Sequence, residues 1–127
     1  MTIIRFDPIA GGILVEVKLS THLEVTTKMI IDTGASLLVI SNKLAKDIGL
    51  KIDPTKKLET TTASALVSAP LVKIPKVAIS NAEVKNVEAL VMDLPPESGI
   101  GGLVGLSFLR HFNVNIDFKH GKLTLKK

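Results

Sequence analysis

The chain has 127 residues, a formal net charge of +4 and no cysteine. That length is one domain's worth, 1–127, and is long enough to fold without a staple. The missing cysteine excludes disulfide frameworks, thiolate catalysis, cysteine-ligated zinc and iron–sulfur clusters.

Three histidines (His22, His111, His120) are too few for a histidine-rich metal centre, so no metal and no cofactor is expected. Apolar residues make up 46% of the chain, with four Phe and no Trp or Tyr. The core is therefore aliphatic, and its β-branched members favour strands. Lysines are spread along the chain apart from Lys56-Lys57 and a tail of Lys119, Lys122, Lys126 and Lys127. No aromatic residues interleave with them to stack bases, so nucleic-acid binding is not expected. Asp7 interrupts any leader-like apolar run, and the uncharged stretch Ser98–Leu109 is glycine-rich and too short to span a bilayer. A cytoplasmic protein without a membrane partner is the expectation.

Residues 13–19 and 23–31 alternate apolar and polar side chains, with Ser20-Thr21-His22 between them, which predicts a β-hairpin. Leu37–Ile40 is a further apolar strand. Ser41-Asn42 caps a predicted helix over 43–48, and Gly49 stops it. Strands are predicted within 59–67, 71–74, 77–79 and 84–92, with Pro70 and Pro75 at edges or bends. Residues 93–102 read as a loop. A second short helix is expected over 107–112, followed by strands 113–118 and 122–125 about a His120-Gly121 turn.

The chemistry sits in Met29-Ile-Ile-Asp-Thr-Gly-Ala-Ser36, where a carboxylate emerges from a buried strand at a glycine turn. Asp-Thr-Gly alone marks plain turns in many proteins. Two further features accompany it here. The triplet Leu103-Val104-Gly105 runs into Leu106-Ser-Phe-Leu109, and the chain closes with the hairpin Val114–Leu125. Taken in order, these resemble a retropepsin-like aspartic peptidase of the single-domain bacterial and archaeal type. The resemblance runs from about Gly12 to Leu125.

It implies a mainly β fold: a closed retropepsin-like (acid protease) β-barrel with two short helices, one after the Asp motif and one near the C-terminus. Such peptidases use two carboxylates that share one proton and hold one water, because two like charges in contact cannot both ionise cheaply. The chain holds a single Asp-Thr-Gly. Asp7, Asp47, Asp53, Asp93 and Asp117 lack the glycine turn. A second copy must supply the other carboxylate, so the resemblance implies a homodimeric aspartic endopeptidase acting on peptide or protein substrates, with Asp32 catalytic. Thr2–Phe6 and Lys122–Leu125 are the strands offered for the interface.

The resemblance also assigns supporting roles. Thr33 would lock the two active-site loops together, Gly34 would meet substrate backbone, and Ala35 and Ser36 would line the pocket. Ile31, Leu103, Val104 and Gly105 would support the loop from below. Ser36 and Leu106 stand where retroviral members carry an Asp and an Arg, so that ion pair is missing as a unit. A flap is expected at Thr61, Thr62, Ala63, Ser64 and Ala65, without the glycines of retroviral flaps. That bareness leaves open an alternative, a peptidase-fold module that binds peptide or dimerises without turnover. The run Gly99-Ile-Gly-Gly102 lacks the helix, lysine and spacing of a phosphate loop.

Overall fold

The computed structural model describes residues 1–61, 65–95 and 98–127. The first hairpin forms as its alternation predicts: β2 (Leu14–Ser20) pairs antiparallel with β3 (Glu24–Ile31). Val15, Val17 and Leu19 point inward and are at most 3% exposed, while Leu14, Glu16 and Lys18 face solvent. β1 (Thr2–Arg5) precedes this hairpin, and β4 (Leu38–Ile40) and α1 (Asn42–Asp47) follow it. Ser41 caps α1 by accepting from the Leu44 N–H at 3.1 Å. Gly49 ends it at φ +71°, a conformation that costs glycine nothing.

β5 (Lys57–Thr61), β6 (Leu66–Ile79) and β7 (Ala82–Val91) form a meander. The separate strands expected around the prolines are one strand of 14 residues. The reason lies in a paired kink. Pro75 has no N–H to donate, and Asn86 opposite it turns left-handed at φ +56°. Buried positions change phase on both strands at that point, from Val72 and Ile74 to Val77 and Ile79, and from Val84 to Val87. The strands therefore bend without losing register.

β8 (Gly102–Val104), α2 (Leu106–Leu109), β9 (Asn113–Asp117) and β10 (Lys122–Lys126) complete the described chain. α2 is shorter than its predicted span, because residues 110–112 continue as turns. The main sheet runs β2-β3-β8-β4-β7-β6-β5, and an additional β2–β6 pairing joins its ends. Six strands thus close a barrel, with β5 projecting from β6 outside the ring. The core is aliphatic apart from Phe108 and Met29, both fully buried. No helix among the described residues is long and apolar enough to cross a membrane.

A second sheet of three strands, β1-β10-β9, packs against the barrel through Leu123 and Leu125. The two strands offered for the interface, β1 and β10, thus pair with each other within one chain. The β9–β10 turn is tied by Asp117, which accepts from the His120 backbone N–H at 3.0 Å and faces its ring Nδ1 at 2.9 Å. The His120 side-chain and backbone hydrogen bonds hold the Asp117 carboxyl below its ordinary pKa. A carboxyl lowered on folding stabilises the fold above its unfolded pKa, and that support fades as pH falls through the lowered folded value. Acid titration of unfolding free energy should show this dependence in wild type and lose it in Asp117→Asn. An identical acid slope in the two proteins would count against the tie.

Candidate active site

Asp32 follows β3 directly, and the strand's last residues bury it on the way in: Ile31 is 8% exposed and Met29 fully buried. The loop is then held by backbone. The Asp32 N–H donates to the Val104 carbonyl at 3.0 Å, and the Asp32 carbonyl accepts from the Ala35 N–H at 3.2 Å. The Asp32 carboxylate takes the Gly34 N–H on Oδ1 at 2.9 Å. A Cβ on Gly34 would stand 3.2 Å from that same oxygen, so glycine leaves the carboxylate room to sit there. Asp32 is half-buried, whereas Thr33, Gly34 and Ser36 are exposed.

β3 and β8 run parallel, with Ile31 beside Val104, and β4 returns antiparallel on the other side of β8. This crossing forces close backbone approach at Gly105, where a Cβ would lie 2.3 Å from the Leu37 carbonyl oxygen and 2.6 Å from that of Ala35. α2 then clamps the loop from the side: Leu106 N–H donates to Ala35 O at 2.8 Å and Ser107 N–H to Ser36 O at 3.0 Å. Arg110, one turn on, is exposed and caps the helix through Nε to the Leu106 carbonyl at 3.1 Å.

Ser107, to which sequence reasoning assigned no role, pins the elements beneath this loop. Its buried hydroxyl accepts from the Leu38 N–H at 2.8 Å and donates to the Glu88 carbonyl at 2.7 Å, joining α2, β4 and β7. Ser107→Ala strands a buried N–H, at a cost of about 1–3 kcal/mol. Urea unfolding should register a loss in that range; an unchanged midpoint would show that the pin is idle.

Asp32, Gly34, Ala35 and Ser36 line a cavity of about 560 Å³. Its floor is a cross-strand row on the outer face of the barrel. The register sets Leu103 beside Val39, Val39 beside Leu90, and Leu90 beside Leu71. Leu37, Met92 and Ala69 pack onto the same cluster. Leu58, Thr60 and Thr61 of β5 form the opposing wall. Of the expected flap, Thr61 pairs with Leu66 at the head of the β5–β6 hairpin, and Ala65 is exposed. Thr62, Ala63 and Ser64 lie outside the described residues. Among the described residues no group of three or more His, Cys, Asp or Glu could hold a metal.

A carboxylate held by a backbone N–H at the mouth of a cleft with an apolar floor is suited to acid–base work on an extended chain. The family model described as aspartyl protease matches residues 15–108, a span that contains Asp32, the cleft floor and the Gly105 crossing. The chain belongs to the aspartyl protease family. Among solved structures, this aspartyl protease is similar to a retropepsin-like aspartic protease from Rickettsia conorii. The TM-score is 0.68 at 28% identity, over 98% of this chain and 88% of that one. The aspartyl protease fold seen here is accordingly retropepsin-like. No curated protein matches the chain.

Proposed function

We propose that the protein is an endopeptidase working as a homodimer, with Asp32 and its symmetry mate as the catalytic pair. The observation that carries this reading is a single loop-held Asp32 at the cleft in a chain of this family. A two-fold axis beside the exposed Thr33 would bring two such carboxylates together. The pair shares one proton. The ionised carboxylate takes a proton from the bound water, which attacks the scissile carbonyl carbon, while the protonated partner donates to the carbonyl oxygen. Collapse of the resulting diol breaks the C–N bond, and the amine leaves with a proton from the dyad. Because the dyad must hold one proton, activity should favour acid to mildly acidic pH.

The floor residues Val39, Leu90 and Leu103 supply no polar group, so they favour an aliphatic substrate side chain. Burying a Leu side chain there is worth about 1.5–3 kcal/mol. Internally quenched decapeptides with Leu or Ser near the centre test these points together. The expected result is internal cleavage, at least roughly tenfold faster for Leu, with specific activity rising as protein concentration rises through the dimerisation range. Release of terminal residues alone would overturn the endopeptidase reading. Peptide binding without any cleavage would favour the non-catalytic module instead.

A further inference from the structure

We propose that the cleft runs on into a basic subsite, built by Lys51, Lys56 and Lys73, that takes an acidic side chain of the substrate several residues from the scissile bond. This rests on the peptidase reading above. What points to it is a second cavity, of about 310 Å³, that begins where the cleft floor ends. Leu90 lines the first cavity and Leu71 the second, and the two residues stand opposite each other in the β6–β7 ladder.

Residues two apart on a strand share a face. Lys73 and Glu88, themselves opposite one another, are therefore the next pair along the outer face from Leu71 and Leu90. The residues between them, Val72 and Ala89, point into the core. On the other side of β6, the Leu71 N–H donates to the Lys56 carbonyl at 2.9 Å, which brings the residue before β5 alongside. The segment after α1 adds Lys51 and Asp53 to the lining.

The two cavities differ in charge. Among the described residues, the first is lined by Asp32 and Glu59 and by no basic group. The second sets three lysines against Asp53 and Glu88. Asp53 is engaged locally, accepting the Thr55 N–H at 2.9 Å and the Thr55 hydroxyl at 2.6 Å. Lys51, Lys56 and Lys73 are exposed, and among the described residues none of them is in an ion pair. A carboxylate arriving there displaces no partner. The row Leu103–Val39–Leu90–Leu71 crosses three strand spacings, and Lys73 lies two residues further along β6. That distance is about 15 Å, which an extended peptide covers in about four to five residues. An acidic side chain is thus favoured at that remove from the residue on Leu103, and disfavoured beside Asp32.

Internally quenched peptides with Glu, Gln or Lys at successive positions about three to seven residues from the cut, on either side, test this. At low salt, one position should show a KM about two- to fivefold lower for Glu than for Gln, the size of an exposed ion pair. The gap should narrow as salt rises. Lys56→Glu should transfer the preference to Lys at the same position, whereas Lys126→Gln, on β10 of the separate sheet, should leave it in place. Fluorescence anisotropy of the same peptides on Asp32→Asn reads the preference as affinity, without turnover. Cleavage with equal KM for Glu, Gln and Lys at every position, or a Glu preference that persists in Lys56→Glu, would overturn the basic subsite alone. Peptides neither cleaved by wild type nor bound by Asp32→Asn would overturn the peptidase reading, and the subsite with it.

Discussion

Asp32→Asn is expected to lower peptide cleavage by roughly 10⁴-fold, the upper end of what a positioned acid–base group contributes. The amide keeps the shape of the carboxylate, and its side-chain oxygen can still accept the Gly34 N–H that now sits on Oδ1. The loop should therefore survive, and the dimer with it. What is lost is the capacity to take a proton from water. Mixing the variant with wild type separates a shared site from an independent one. If each site needs Asp32 from both chains, an equal mixture at fixed total chain retains roughly a quarter of the wild-type activity, since only dimers of two wild-type chains work. If each chain works alone, the mixture retains roughly half. Undiminished cleavage by Asp32→Asn would remove Asp32 from the chemistry.

Gly105→Ala is expected to be strongly destabilising at the crossing that holds the Asp32 loop. The added Cβ would meet the carbonyl oxygens of Leu37 and Ala35 at 2.3 and 2.6 Å. Neither is the free end of a flexible side chain. Both belong to the backbone that carries Asp32, and the Ala35 carbonyl already receives the Leu106 N–H. Relief requires β4 or the Asp32 loop to shift, at a cost of about 3–5 kcal/mol. That is a large share of the roughly 5–15 kcal/mol typical of a domain. Gly11→Ala is the control, because nothing lies within 4 Å of a Cβ there. The expected result is an unfolding midpoint far below wild type for position 105 and near wild type for position 11. A Gly105→Ala protein as stable as wild type would mean the crossing is looser than its distances indicate.

Strand positions were legible where one face is buried and the other wet, as in β2, because alternation then reports which side is which. It failed in β6, where the prolines read as breaks. Asn86 absorbs the kink from the neighbouring strand, and that partnership across the ladder leaves no local mark in the sequence. The Asp32 loop and the Gly105 crossing beside it were legible through the order of their motifs. The cleft floor was not. Val39 lies within Leu38–Ile40, a run buried on both faces, so periodicity could not tell core from cleft. Ser107 was invisible for another reason: its partners, Leu38 and Glu88, are backbone groups distant in sequence. Gly101 and Gly102, set aside as a spurious phosphate loop, turn out to be packing residues. A Cβ on Gly102 would fall 1.8 Å from the Val39 carbonyl oxygen, so only glycine lets β8 slip in beside β4.

The continuity of β6 has a mechanical consequence. The strand that begins at Leu66, as one arm of the hairpin over the cleft, ends at Ile79, clamped between β7 and β2 in the barrel wall. The hairpin is thus a cantilever whose root is built into the barrel, not a gate hung on a loose hinge. A peptide that lifted it would have to flex a ladder-bonded beam, because β6 is paired with β7 from Leu71 onward. Stiffness along that ladder, distant in sequence from Asp32, would then govern access to the cleft.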